Sequence, residues 1–315
     1  MLTRRCTMTT TAALVGSLAT SSRSWAEPAS KRKFTMDLRT GSIGVRADQR
    51  EAIRLASRHG FESVNADPSY LGKLEDGELK ELVDQLRSAN LAWGAAGLPL
   101  DFRNDEKTFQ RGFAELPRLA MAMQKAGITR VGTWLMPNSD DLPYVQNFRQ
   151  HAKRLRECAK VLADHGQRFG LEYVGPKTLW SAKRYPFIHT MAETKDLIAE
   201  IGTGNVGFIL DSWHWYTAGE TVQDLHTLTN QDIVACDLND APKGRALDEQ
   251  IDNQRELPMA TGVIDLKAFL STLVALEYDG PIRAEPFNAK LNAMENEQAV
   301  AATAKAMKQA FALVG

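Results

Sequence analysis

The feature that most restricts the fold of this chain is a rhythm. After residue 33 a short β-forming run is followed by an amphipathic helical stretch, and the pair recurs eight times before Gly315. The β-runs fall at 34–45, 61–66, 91–98, 130–136, 169–174, 206–216, 233–238 and 281–286. The helical stretches fall at 48–59, 77–88, 107–126, 145–165, 190–201, 221–228, 265–277 and 295–313. The sixth run opens VGFIL, apolar on both sides, as a parallel strand covered by helices must be. Sustained strand–helix alternation predicts a parallel α/β architecture, and eight units predict one (β/α)8 TIM barrel over residues 27–315. An open doubly wound sheet is the alternative. It loses ground because no G-x-G-x-x-G follows the first strand and no phosphate loop is present.

With 315 residues, 43% hydrophobic, the chain can build a full core. A formal charge of -1 argues against nucleic acid or an anionic membrane as the main partner. No apolar run approaches the ~20 residues that span a bilayer. The first 26 residues differ from the rest. Arg4 and Arg5 precede a mildly apolar run from Met8 to Thr20, and Ser24-Trp25-Ala26 ends in a small residue. This three-part order predicts a signal peptide over residues 1–26, similar to a twin-arginine leader, and hence a periplasmic protein. Thr7 departs from the Phe usual in such leaders, and a cytosolic tail is the alternative. Of three cysteines, Cys6 lies in this segment. Cys158 and Cys236 leave one disulfide open but suggest neither a disulfide scaffold nor a zinc site.

In parallel α/β folds chemistry sits at the carboxyl ends of strands. The fifth strand reads FGLEYVGP and ends with Glu172. The sixth ends with Asp211, followed by His214. The seventh reads VACDLNDAPKG and offers Asp237, Asn239 and Asp240. The eighth reads IRAEPF and offers Glu285. Each acid alone is ordinarily a helix cap or a surface group, and Asp240 before Ala241-Pro242 reads as a turn residue. Four in register are another matter. Clustered buried anions require a positive partner, and a divalent cation held by oxygen ligands is the expected one. Strand parity turns Asp237 and Asn239 to the same side and Asp240 to the other.

These pieces, together with RELPMATGVIDLKAFLSTL from Arg255 and YDGPIRAEPF ending at Glu285, resemble the sugar phosphate isomerase/epimerase family. These are xylose isomerase-like barrels that include the ketose 3-epimerases. The spacings of 39, 26 and 48 residues between Glu172, Asp211, Asp237 and Glu285 agree with it. The resemblance implies Glu172, Asp211, Asp237 and Glu285 as metal ligands. It also implies Glu172 and Glu285 as catalytic acid and base, and His214 and Arg255 as groups that hold substrate oxygens. Family members usually carry His where this chain has Asp237. Four carboxylates make a hard donor set, so Mn²⁺ or Mg²⁺ is expected rather than Zn²⁺.

The implied reaction is proton abstraction next to a carbonyl, giving an isomerase or epimerase of a sugar or keto-sugar. Expulsion of a β-group would make the same site a lyase or hydratase on 3-keto-glycosides, and loss of the metal would leave a sugar-binding barrel. The expected partner is a small carbohydrate, and a homo-oligomer is compatible with the sequence. Arg255 has a second reading as a surface arginine beside Glu256. Trp134, Trp213, Trp215 and Tyr216 read equally as sugar-stacking or core aromatics.

Overall fold

The computed structural model describes residues 32–315, so the segment read as a leader lies outside the described residues. The strands are β1 (Thr35–Leu38), β2 (Ser63–Val64), β3 (Ala92–Trp93), β4 (Ala96–Gly97), β5 (Arg130–Trp134) and β6 (Asn138–Ser139). They continue with β7 (Arg168–Glu172), β8 (Tyr185–Pro186), β9 (Val206–Asp211), β10 (Ile233–Asp237) and β11 (Pro281–Arg283). Nine of them form one sheet in the order β3-β2-β1-β11-β10-β9-β7-β5-β4, with every pairing parallel. Its two ends, β3 and β4, are consecutive pieces of one segment. The N–H of Gly94 bonds Val64 O at 2.8 Å, and that of Leu98 bonds Gly132 O at 2.8 Å. The predicted third strand therefore serves both neighbours, and the sheet curls into a TIM barrel.

Gly94 stands at the break in that strand, and a Cβ on it would lie 2.2 Å from Asp37 Oδ1. The glycine lets a buried carboxylate from β1 rest against its backbone. β6 and β8 form a separate antiparallel pair, which the sequence reading did not anticipate. Two residues are too few to show a period of two.

Side chains alternate along each strand. On β9, Phe208 and Leu210 face the helices in the main core, while Ile209 forms a separate inner cluster with Ala95 and Ala235. A Cβ on Gly132 would stand 2.4 Å from Ile209 Cδ1, and one on Gly170 would stand 2.9 Å from its Cγ1. One isoleucine thus fills the barrel centre because its neighbours are glycines and alanines. The same parity sends Asp211, two residues on, inward above it. Helix starts follow their caps. Asp48, Asp105, Thr190 and Asp265 accept backbone N–H groups of the first turn of Gln49–His59, Glu106–Ala126, Met191–Ile201 and Leu266–Ala275.

Several strands are shorter than read from sequence. The first ends at Leu38, and Thr40–Ile43 is a 3-10 turn. The sixth ends at Asp211, whose side chain caps the short helix Ser212–Thr217 by accepting the Trp213 N–H at 2.8 Å. Trp213 and Trp215 are consequently core residues, and Trp134 is exposed. Cys158 and Cys236 are both free and buried, so the open disulfide is absent among the described residues.

Behind β7, Glu220 accepts hydrogen bonds from the Tyr173 hydroxyl and from the Met191 N–H. Burial pushes its carboxyl from 4.5 up to about 7, against the lowering effect of those two bonds. A raised folded-state value means the folded state holds its proton where the unfolded chain has lost it. This group's stabilisation is therefore complete below pH 4.5 and is lost as pH rises to about 7. Glu220→Gln is expected to remove that loss. The stability difference between variant and wild type, read from urea midpoints at pH 4 to 8, should shift in the variant's favour by on the order of 3 kcal/mol.

Candidate active site

A cavity of about 650 Å³ opens at the carboxyl ends of the strands, and Glu172, His214, Arg255, Arg283, Glu285 and Trp134 are among its lining residues. Four carboxylates predicted from four strands do converge here. Glu172, Asp211, Asp237 and Glu285 are all buried. Glu172, Asp237 and Glu285 offer oxygen atoms within 4.8 Å of one another, as do Glu172, Asp211 and His214 through their donor atoms.

Three of the four acids have a guanidinium of their own. Arg255 Nη1 donates to Asp211 Oδ2 at 2.6 Å. Arg283 grips both oxygens of Asp237, Nε to Oδ1 at 2.6 Å and Nη2 to Oδ2 at 2.9 Å. Arg39 Nη1 donates to Glu285 Oε1 at 2.6 Å, with the Ser42 hydroxyl at 3.3 Å. Glu172 is the exception, since its Oε1 is buried without a hydrogen-bond partner among the described residues. Burial first, then the charges of Glu285, Asp237 and Asp211, hold the Glu172 carboxyl well above the usual carboxylate range. Burial likewise raises Asp211 to about 7, against the pull of Arg255.

Arg255 is not a surface residue. Its Nε donates to Asp252 O, Nη1 to Asp211 and to Glu285 O, and Nη2 to Asp252 Oδ1 and towards His214 Nε2 at 3.0 Å. All five N–H groups are thereby turned to protein groups. The guanidinium also lies 4.8 Å over the Trp213 ring and 5.0 Å over Phe287. Phe287 reaches this place with φ at 42°, a left-handed conformation that costs a bulky residue about 1–3 kcal/mol. His214 is kept neutral by burial and by the Arg255 charge, which hold it well below its usual range. The Gly175 N–H approaches its Nδ1 at 3.2 Å and Arg255 its Nε2. A neutral ring has one acceptor nitrogen, so one of these approaches sets donor against donor. The resemblance gave both residues to the substrate. In the structure both face the cavity, but their polar atoms are turned to protein groups.

Reasoning from sequence missed Arg39 and Arg283 and passed over Asn239. The Asn239 amide donates to Asp211 and accepts the Glu285 N–H at 2.8 Å, tying β9 to the end of the eighth unit. Parity could have found Arg283, because it stands two residues before Glu285 and faces the same way. Asp240 is a turn residue of unusual reach. Its carboxylate accepts the N–H groups of Ala241, Thr261, Gly262, Val263 and Ile264, at 2.7 to 3.2 Å. It also pairs with Glu256 through the backbone. These bonds fix the segment that carries Arg255 into the site.

The donor set fits a divalent cation. Four buried carboxylates outnumber their three guanidiniums, and the oxygen left over, Glu172 Oε1, lies within reach of both donor triads. Oxygen donors of this kind suit hard ions.

Residues 53–310 match the protein family described as xylose isomerase-like TIM barrel. An inosose isomerase from Bacillus velezensis is 23% identical over 260 residues, covering 80% of this chain and 88% of the relative. A 3-dehydroshikimate dehydratase from Pseudomonas aeruginosa is 31% identical over 139 residues, 44% of this chain and 20% of that protein. The solved xylose isomerase domain protein from Alicyclobacillus acidocaldarius subsp. acidocaldarius superposes with a TM-score of 0.76 at 31% identity, covering 87% of this chain and 96% of its own.

Removing the Asp240 carboxylate strips partners from five backbone donors, four of them in the segment 261–264. Asp240→Ala is expected to cost at least about 3 kcal/mol in urea unfolding, because each buried orphan donor costs ~1–3 kcal/mol. Asp265→Ala, which removes an exposed helix cap, should cost only about 1 kcal/mol.

Proposed function

Because the chain belongs to the xylose isomerase-like TIM barrel family, we propose that it is a metal-dependent isomerase or epimerase of a sugar or keto-sugar. In this reading Glu172 and Glu285 exchange the proton next to the carbonyl. One observation carries it. Two glutamates three strands apart in the sheet order bring carboxylate oxygens within 4.8 Å of one another in a single cavity, and one of them has an oxygen without a hydrogen-bond partner among the described residues. The kinship with inosose isomerase over most of both chains supports the same class.

A divalent cation, Mn²⁺ or Mg²⁺ for so hard a donor set, would supply polarisation of the substrate carbonyl and its neighbouring hydroxyl. The ligands would come from Glu172, Asp211, His214, Asp237 and Glu285. The chain's own residues do the rest. Glu285, aimed by Arg39 and Ser42, takes the proton from the carbon between carbonyl and hydroxyl. Glu172, whose carboxyl burial and the neighbouring acids hold above the usual carboxylate range, delivers one to the resulting enediolate. Return to the opposite face of the same carbon gives an epimer, and return to the neighbouring carbon gives an isomer. Arg255 keeps Asp211, His214 and the Glu285 carbonyl in place. The Trp134 ring, stacked on the Arg103 guanidinium at 4.1 Å, offers a flat wall to the sugar.

The relationship to 3-dehydroshikimate dehydratase favours a second reading, in which the enediolate expels a β-hydroxyl that leaves as water with a proton from Glu172. Incubating the Mn²⁺-loaded protein with a panel of keto-sugars in deuterated water tests both. Wild type is expected to place deuterium on the carbon beside the carbonyl without a rise in enone absorbance, and Glu172→Gln is expected to slow exchange by about 10²–10⁴-fold. A growing ultraviolet band with loss of water would select the dehydratase. No exchange with any substrate would refute both readings.

A further inference from the structure

Asp237 occupies the position that a strand-end metal ligand should hold, yet its two oxygens are already spent. Arg283 meets them with a parallel fork of two charged hydrogen bonds, the most directional ion pair a protein can make. Neither residue has access to solvent that could replace the other, since Asp237 is 0% and Arg283 4% exposed. The sheet itself sets this pair. Arg283 is the register partner of Asp237 on one side and of Asp37 on the other. Asp37 is buried, and both of its oxygens lack a hydrogen-bond partner among the described residues. Arg283 thus stands on the strand between two inward acids and is hydrogen-bonded to Asp237 alone of the two. It also lines the cavity, so its positive charge stands where an ion bound to Asp237 would have to come.

We propose that Arg283 makes Asp237 its counter-ion and withholds it from the metal, so that a divalent ion draws its protein ligands from the remaining donors, first among them Glu172 with its open oxygen. This rests on the metal-dependent reading above. It predicts a site weaker than four carboxylates would give, because one anionic ligand is replaced by a fixed cation. It also makes the guanidinium a permanent positive element of the cavity floor, present whether or not an ion is bound.

Titration with Mn²⁺ alone, followed by calorimetry and by the electron paramagnetic resonance signal of free Mn²⁺, tests this without any turnover. The double variant Asp237→Asn/Arg283→Met removes the pair while keeping the interior neutral, and its Mn²⁺ affinity should stay within about threefold of wild type. Glu172→Gln should weaken binding at least tenfold, the scale of losing a contact at the metal. Arg283→Ser, which frees Asp237, should tighten binding at least tenfold, and where that variant fails to fold the double variant decides. A tenfold or greater loss in the double variant would overturn the proposal and leave the metal reading standing. If wild type binds no Mn²⁺ but Arg283→Ser does, the metal reading fails and the withholding of Asp237 holds. Absence of binding in both would overturn both.

Discussion

Buried negative charge must be answered by buried positive charge, and the centre of this barrel is organised around that requirement. Moving an isolated carboxylate out of water costs far more than a domain's whole net stability. Here four such groups share one depth, and three are answered by arginines from separate strand ends: Arg39 after β1, Arg255 after β10 and Arg283 on β11. Each pair ties together parts of the chain far apart in sequence. Arg39 and Glu285 lie 246 residues apart, Arg255 and Asp211 44, and Arg283 and Asp237 46. The ion pairs therefore do two things together. They make the acids tolerable, and they lock the strand register on which the shape of the cavity depends.

That lock reaches outward through the backbone. Arg255 is useful only if its segment is held, and Asp240 holds it by taking N–H groups from four consecutive residues, 261–264, as well as its own neighbour's. The Asn239 amide joins Asp211 to the Glu285 backbone. From β9 to β11 the strand ends thus behave as one hydrogen-bonded unit, with Glu172 facing it from β7.

The barrel was legible in the sequence because parallel strands covered by helices leave a strong period. The four acids were legible because strand ends mark the catalytic face. What escaped was pairing between strands. The run IRAEPF shows that Arg283 and Glu285 face the same way, but nothing local says that Arg283 will meet Asp237. That follows from β10 and β11 being neighbours in register at Asp237 and Arg283. The same limit applies to Arg255, whose local context beside Glu256 reads as surface while its partners lie on other elements. At the break between β3 and β4, Asp37 lies against Gly94, a contact across 57 positions that no window of sequence contains. Trp213 could not be assigned to core or cavity until Asp211 was seen to cap a helix rather than simply end a strand.

The distribution of charge also bears on how the site divides its labour. A guanidinium and burial act on a carboxylate in opposite directions, and at Asp211 burial wins, raising its carboxyl to about 7 in spite of Arg255. Glu172 has no guanidinium of its own among the described residues, and burial and the neighbouring acids hold its carboxyl well above the usual carboxylate range. An exchange of one proton across a substrate needs two groups whose surroundings differ. Because the arginines are part of the fold, the difference in surroundings between Glu285, which is held by Arg39, and Glu172, which has no guanidinium of its own among the described residues, does not depend on an ion. In the proposed reaction this would leave an ion the narrower task of polarising the carbonyl.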